Sequence, residues 1–298
     1  MASCLLADVY SAGRPIIVAT ALFLVVGCSS ESTKPKSIAT PIRSQVEVLS
    51  RLPDTAPIPS ARAIANALSP FIHSSALGDH VGVAVADVRS GRIIYESSSI
   101  ASADQFIPAS AIKLFTVTAV LLKNRPEEMV RFKGKNLSLS NLVEITLTES
   151  DNSGANLLST LVPGSLSKEI SDALPTLNLS RTTLADASGL SRTDRTTPAT
   201  LAHLLVVIAD PKYPQLSPIL SGLPISGLSG TLESRVLAAR GQVRAKTGTL
   251  TGVDVLAGYV VDKAKRALAF VIMADHVPKT ERGRRMIDKI AVSLLNLS

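Results

Sequence analysis

Hydrophobic and polar positions divide the chain into blocks of two kinds. Ala61 to Ile72 reads as a helix. Val81 to Val88 and Arg92 to Ser97 read as two strands around the turn Arg89-Ser90-Gly91, a hairpin. Behind Ile107-Pro108-Ala109 comes the nearly unbroken apolar run Leu114 to Leu122, which predicts a buried helix starting near Ser110. A polar, mostly helical region follows from Leu137 to about Asp210, with Leu139 to Leu147 as one of its helices. Val243 to Lys246, Asp254 to Val261 and Ala267 to Met273 read as strands. Gly258 is expected to interrupt the second, and Asp262-Lys263-Ala264-Lys265 to turn the chain into the third. Thr280 to Leu297 reads as a closing helix. Hairpin strands towards both ends, with helices between them, predict an α/β protein of the α+β kind, an antiparallel sheet covered by helices.

The chain leads in with Arg14, then the apolar run Ile16 to Val26, then Val25-Val26-Gly27-Cys28. The run is short for a membrane span and suits the core of a signal peptide. A small residue before Cys28 resembles a bacterial lipobox, which makes Cys28 the expected lipidation site and residues 1–28 a signal with lipobox. A plain secretory signal or an uncleaved anchor is the alternative. Residues 1–13, which include Asp8, are an atypical lead and are compatible with a start codon further on. Residues 29–60, rich in Ser, Thr and Pro, read as a flexible tether with a short helix at Val46 to Arg51. The folded domain is then 61–298. Only Cys4 and Cys28 are present, so no disulfide can brace that domain.

Composition narrows the function classes. At 46% hydrophobic and 18% charged residues the chain is globular, and its net charge of +7 makes it moderately basic. Aromatics are 3% and no basic cluster is interleaved with them, which argues against a nucleic-acid surface. No histidine pair stands at metal-ligand spacing and no phosphate-binding glycine loop is present, so neither metal nor any other cofactor is expected.

Three motifs carry the chemistry: Ser110-Ala111-Ile112-Lys113, Ser150-Asp151-Asn152 and Lys246-Thr247-Gly248. In this order they match a set known from penicillin-binding proteins and class A β-lactamases. Ser110 and Lys113, nearly one helical turn apart, share a face. Ser165-Leu166-Ser167-Lys168 has the same spacing but lies after Ser150-Asp151-Asn152 and lacks the apolar helix, so it reads as a coincidence. Further segments, Asp186-Ala187-Ser188-Gly189-Leu190-Ser191-Arg192, Leu223-Pro224-Ile225-Ser226-Gly227, Gly230-Thr231-Leu232 and Val243 to Val253, resemble the peptidase S13 family of D-Ala-D-Ala carboxypeptidases and endopeptidases. The resemblance runs from about residue 61 to the C-terminus. It implies a serine β-lactamase/transpeptidase-like fold, with a five-stranded antiparallel sheet and an all-helical subdomain whose junction holds the motifs. Two departures stand out. The stretch Asn124 to Glu149 is too short for the two domains that the family inserts there. Asn156 and Ala187 also stand where the family has Glu and Gly.

Amide hydrolysis needs a nucleophile, a base, a proton route and an oxyanion site. Ser110 is the candidate nucleophile and Lys113 the candidate base, which requires its pKa to fall from about 10.4; burial and the second cation, Lys246, are expected to leave it largely neutral near neutral pH. Ser150 is expected to bridge Lys113 and the leaving nitrogen, and Asn152 to hold Lys113 and a substrate carbonyl. Lys246 is expected to face the substrate carboxylate or to polarise Ser150. Gly248 permits close approach of substrate, and the backbone N–H groups of Ser110 and Thr249 are candidates for the oxyanion hole. The resemblance implies Thr247 and Thr249 as carboxylate ligands. Asp151 reads as a cap, and the loop Asp186 to Gly189 as structural support.

The expected function is a serine D,D-carboxypeptidase, or a carboxypeptidase that is also an endopeptidase, on peptidoglycan stem peptides, acylated and inhibited by β-lactams and held to the membrane by a lipid anchor. A β-lactamase is the first alternative. Between Asn152 and Lys246 only Glu169 and Glu233 are available, neither in an E-x-x-x-N pattern, which disfavours fast deacylation. A non-catalytic wall-binding lipoprotein is the second, opposed by the intact motifs. If the lipobox is real, Cys28→Ser should move the protein to the soluble fraction or leave the precursor uncleaved. Processing and membrane partitioning like the parent would replace the lipoprotein with a plain signal or anchor.

Overall fold

The computed structural model describes residues 57–97 and 105–297. The expected signal segment, the lipobox at Cys28 and nearly all of the tether lie outside the described residues. Helix α1 (Ala61–Ile72) begins where the Ser60 side chain accepts the Ala63 N–H, and it buries Ile64, Leu68 and Ile72. Strands β1 (His80–Asp87) and β2 (Ile93–Glu96) form the expected hairpin. A 3₁₀ turn, Ala109–Ile112, leads directly into α2 (Lys113–Lys123), in which every residue from Lys113 to Leu121 is buried.

Between α2 and the next helix a short hairpin, β3 (Met129–Phe132) and β4 (Lys135–Ser138), went unnoticed in the sequence. Its strands are short, and half of their residues are exposed. Its turn, Lys133-Gly134, has φ of 47° and 79°, as the tightest hairpin turns require. The helical region follows: α3 (Leu139–Thr148), α4 (Asn152–Ser159), α5 (Leu166–Ala173), α6 (Pro198–Ala209) and α7 (Ser217–Gly222). It is broken between α5 and α6 by an irregular segment pinned through the bridges Thr183–Arg195 and Phe106–Thr196.

The last three strands, β5 (Val243–Leu250), β6 (Val253–Val261) and β7 (Ala267–Asp275), complete an antiparallel sheet of order β2-β1-β7-β6-β5. Helix α8 (Thr280–Leu295) closes the chain. Side chains alternate across the sheet. Val83, Val85, Phe270 and Ile272 pack on α1 and α8, through Leu68, Ile287 and Leu294. The opposite face carries small residues, Ala84, Ala86, Ala257 and Ala269, beside larger ones such as Tyr259 and Met273, and shares a core with Phe115 of α2 and Leu201 and Leu205 of α6. Small side chains there let the 3₁₀ turn before α2 come close to the sheet.

The expected break at Gly258 does not occur. Strand β6 is continuous, and Gly258 pairs with Ala245 on one side and Phe270 on the other. A Cβ at Gly258 would lie 2.0 Å from the Arg244 carbonyl oxygen, so the glycine serves close approach and not a bend. Gly258→Ala is expected to cost about 1–3 kcal/mol by overpacking, read as a lower denaturation midpoint; an unchanged midpoint would contradict this packing.

Candidate active site

The nucleophile candidate sits on a tense turn. Ala109, fully buried, has φ of 45°, a left-handed conformation that alanine adopts at a cost of about 1–2 kcal/mol. Ser110 follows on the 3₁₀ turn and Lys113 opens α2. The Lys113 ammonium donates to Ser110 Oγ at 3.0 Å, to Asn152 Oδ1 at 2.8 Å and to the Ser188 carbonyl oxygen at 2.5 Å. Two of these three partners, an amide oxygen and a backbone carbonyl, can only accept. A neutral Lys113 therefore spends its two N–H bonds on them and turns its lone pair to the Ser110 hydroxyl.

The Ser188 carbonyl was not anticipated as part of the site. Its loop was expected to be supporting structure, and it is that, but it also touches Lys113. The Asp186 carboxylate accepts the N–H groups of Ser188, Gly189 and Ser191 at 2.5–2.6 Å. Asp194 in turn accepts those of Ala185 and Asp186, and Thr116 on α2 donates to the Ala187 carbonyl at 2.8 Å. Gly189, at φ 86°, lies so close to the nucleophile turn that a Cβ would stand 2.0 Å from the Ala109 carbonyl oxygen. The signal was present in sequence as Asp-x-Ser-Gly, the pattern of an Asx turn.

The second motif stands on a left-handed Ser150, φ 57°. Asp151 is a cap, as expected: it accepts the Gly154 N–H at 2.8 Å and pairs with Lys133 of the β3–β4 turn at 2.5 Å. Ser150 departs from expectation. Its hydroxyl accepts from Lys246 at 2.9 Å and has no hydrogen bond with Lys113. Lys246, fully buried, also donates to the Thr247 carbonyl at 2.8 Å, so it polarises Ser150 and does not reach into open solvent. The site thus holds two lysine–serine pairs, Lys113 with Ser110 and Lys246 with Ser150.

Burial shapes both lysines. It pulls Lys113 down from the ordinary lysine value, while the charges of Asp186 and Asp151 pull the other way, and the result is about 8. The direction matches expectation, but the shift is smaller: the neutral amine is the minor form at pH 7, because those two carboxylates offset part of the desolvation. Lys246 is also held well below the ordinary lysine value, by complete burial and by the charge of Lys113. Asp186 is held below the usual carboxylate range: burial opposes ionisation, and the N–H groups of Gly189, Ser191 and Ser188 outweigh it.

Strand β5 is a sheet edge, and its third motif lies within the strand and not after it. Lys246 and Gly248 point to the helical side. A Cβ at Gly248 would meet the Pro108 carbonyl oxygen at 2.6 Å, so this glycine lets the nucleophile turn dock on the strand. Thr247 and Thr249 point the other way. Thr247 donates to Thr231 Oγ1 at 2.8 Å, and Thr249 donates to Asp254 Oδ1 at 3.1 Å. A cleft of about 580 Å³ is lined by Ser110, Ser150, Thr231, Thr247, Thr249 and Arg284, among others. Thr231 and Arg284 were not singled out from sequence as site residues. Ser165, by contrast, caps α5 by accepting the Lys168 N–H at 3.2 Å, and Lys168 pairs with Asp172 on the surface. Among the described residues no group of three His, Cys, Asp or Glu side chains could hold a metal ion.

Comparison with known proteins gives a family and a fold. The family model for the D-Ala-D-Ala carboxypeptidase 3 (S13) family matches residues 128–297. A stretch of 117 residues is 43% identical to "Carboxypeptidase DacB" of Mycolicibacterium smegmatis, covering 37% of this chain and 25% of that protein. The match thus spans only about a quarter of the length of such curated relatives. Among solved structures, a class A β-lactamase from Bacteroides cellulosilyticus superimposes with a TM-score of 0.64 at 17% identity, over 80% of this chain and 98% of that one. Penicillin binding protein 4 from Haemophilus influenzae, in complex with a β-lactam, gives 0.59 at 15% identity, over 77% and 98%. At these identities the structural likeness is one of fold: the expected sheet flanked by helices. The family match covers more than half of the chain and includes the second and third motifs, so the protein belongs to the D-Ala-D-Ala carboxypeptidase (S13) family.

Proposed function

We propose that the protein is a serine D,D-carboxypeptidase that cleaves D-Ala-D-Ala termini of peptidoglycan stem peptides, with D,D-endopeptidase action on related cross-links, and that β-lactams acylate it. The observation that carries this reading is the Lys113 environment: two obligate acceptors and the Ser110 hydroxyl at 3.0 Å. In the neutral form Lys113 takes the Ser110 proton as Oγ attacks the peptide carbonyl. The N–H groups of Ser110 and Thr249 receive the oxyanion, each donor contributing about 3 kcal/mol in comparable sites. Lys113 gives that proton up through Ser150, whose hydroxyl turns from its resting contact with Lys246 to take it, and Ser150 passes a proton to the departing D-alanine nitrogen, which leaves Lys113 neutral. Water then attacks the acyl-enzyme; the neutral Lys113 takes a proton from it and returns that proton to Ser110 Oγ as the acyl bond breaks.

A β-lactamase reading shares the fold but needs a carboxylate to drive deacylation. Glu169 is buried against Lys123, at 2.7 Å, and neither it nor Glu233 lines the cleft. Glu281, on the cleft wall, is largely exposed and paired with Arg284. We therefore favour a long-lived penicilloyl-enzyme. For the address we favour an extracytoplasmic lipoprotein anchored through Cys28, with residues 29–60 as a tether that lets the domain reach the wall.

Labelling with a fluorescent penicillin tests the assignment. Ser110→Ala should abolish the label with the fold intact, whereas Ser165→Ala should label like the parent and lose only about 1 kcal/mol of stability with its cap. A labelled Ser110→Ala protein would sink the proposal.

The acylation rate should rise with pH and level off above about 8, because only the neutral Lys113 accepts the proton. The inflection belongs to the coupled lysines together. The same shift should make stability rise with pH between about 8 and the ordinary lysine value of 10.5, since in that window the unfolded chain binds a proton that the folded one does not. A rate that climbs only above pH 10 would contradict the mechanism.

A further inference from the structure

The tip of the β3–β4 hairpin carries a residue poorly suited to its turn. Lys133 opens the turn at φ 47°, and Gly134 follows at φ 79°. Both positions need the left-handed region, which Gly, Asn and Asp adopt readily and a lysine adopts at a cost. A Cβ at Gly134 would meet nothing within 4 Å, so the tip stands clear of the domain body. What Lys133 supplies is its side chain. The ammonium stands over the ring of Phe132, 4.8 Å from its centre, and Phe132 is itself part of the core. The same ammonium donates to Asp151 Oδ2 at 2.5 Å.

Asp151 is the pivot of the second motif. Its Oδ1 accepts the Gly154 N–H at 2.8 Å and so fixes the start of α4, which carries Asn152. On its other side stands the left-handed Ser150. These two neighbours make the contacts with the buried lysines. Asn152 Oδ1 accepts from Lys113 at 2.8 Å, and Ser150 Oγ accepts from Lys246 at 2.9 Å. Upstream, the backbone is held at Thr148. Its hydroxyl donates to the Gly222 carbonyl at 2.8 Å, and its carbonyl oxygen would lie 2.3 Å from a Cβ on Gly230. Downstream, the hold is the Asp151 carboxylate, with Oδ1 on α4 and Oδ2 on Lys133.

An exposed ion pair contributes little to stability. The Lys133 side chain is 60% exposed and that of Asp151 17%. A left-handed residue other than glycine persists where its surroundings require it. A strained turn that gains so little stability points to a use other than stability.

We propose that Lys133 is a positioning residue for the acyl-transfer site: from outside the cleft it fixes the Asp151 carboxylate, and through it the Ser150 hydroxyl and the Asn152 amide that meet the two buried lysines. The effect on acylation rests on the D,D-peptidase reading; the positioning itself rests on the contacts of Lys133 and Asp151. An electrostatic consequence follows. The charged groups acting on Lys113 are Asp186 from its loop, Asp151 from the start of α4 and Lys246 from β5. Asp151 draws Lys113 upward. Lys133 is the cation seated on that carboxylate, so it offsets the pull.

The test compares the full parent chain with Lys133→Gly, Lys133→Met, Lys133→Arg and Asp151→Asn. It reads the plateau rate of acylation by a fluorescent penicillin, the denaturation midpoint and the carbon-13 titration of Lys113. Lys133→Gly relaxes the turn, so its midpoint should be no lower than the parent's. Its plateau rate should nevertheless fall about tenfold, the scale of a loosened positioning contact. Lys133→Met should lose rate to the same degree, and Lys133→Arg should keep most of it. Asp151→Asn keeps a capping side chain but loses the ion pair. It should slow acylation as well, and adding Lys133→Met to it should cost nothing further. The titration should split these two changes. Lys113 should move to higher pH in Lys133→Met, where the Asp151 charge acts unopposed, and to lower pH in Asp151→Asn. A merely structural role would lower the midpoint and leave the titration in place.

Parent-like acylation in both Lys133→Gly and Lys133→Met overturns the proposal. So does a Lys113 titration that fails to split, a rate loss in Lys133→Arg equal to that in Lys133→Met, or a rate loss in Lys133→Gly matched by a lower midpoint. The titration needs no turnover, so it separates the two readings. A parent that penicillin does not label, with the Lys113 titration split as stated, sinks the peptidase reading alone. A labelled parent in which neither rate nor titration responds to Lys133 sinks the positioning role alone.

Discussion

Two lysine side chains, Lys113 and Lys246, are fully buried in one small region with no carboxylate in hydrogen-bond contact with either. Everything else in the site follows from how the fold tolerates them. An isolated buried ammonium is costly, and a protein can relieve that cost by pairing it, by hydrogen bonding or by letting it deprotonate. This one uses the last two. Lys113 has three oxygen acceptors and Lys246 two, and the nearest counter-charges, Asp186 and Asp151, act on Lys113 at a distance. The outcome for Lys113 is a pKa of about 8, low enough for a base and high enough for the proton to be handed on.

Holding those acceptors in place consumes local backbone freedom. Ala109 and Ser150, which flank or form the two serine positions, are both left-handed without being glycine. Such strain persists only where the surroundings over-determine it. Here Gly189 and Gly248 bring the Asp186 loop and the β5 edge against the nucleophile turn from two sides, each at a spacing that a side chain would forbid. Strand β5, the 3₁₀ turn and the irregular segment before α6 thus form one rigid corner, with the small-residue face of the sheet beneath it.

Much of this was legible in the chain. The alternation of β1, β6 and β7 and the unbroken apolar run of α2 gave the sheet and the central helix, and the motif order picked out Ser110, Lys113, Ser150, Asn152 and Lys246, which the structure does bring together. What was missed has common causes. The β3–β4 hairpin has only four residues in each strand, too few to show a hydrophobic period. The Ser188 carbonyl is a backbone atom, invisible to any reading of side-chain types. The pairing of Ser150 with Lys246 and not with Lys113 depends on which face of β5 each residue takes, and strand β5 was expected to end at Lys246. The hydroxyl partners of Thr247 and Thr249 are Thr231, on a 3₁₀ turn, and Asp254, across the β5–β6 register, and sequence alone supplies neither contact. Ser165 shows the reverse: the right spacing without the buried helix makes a cap.

The central claim is that burial, without a contacting carboxylate, puts Lys113 in reach of deprotonation. The most direct measurement is a carbon-13 NMR titration of the lysine side-chain methylenes next to Nζ, with Lys113 and Lys246 assigned by substitution. The account expects the Lys113 signal to titrate near pH 8 and the Lys246 signal to lie well below the ordinary lysine range, apart from the surface lysines. Lys113 titrating with the surface lysines above pH 10 would contradict it.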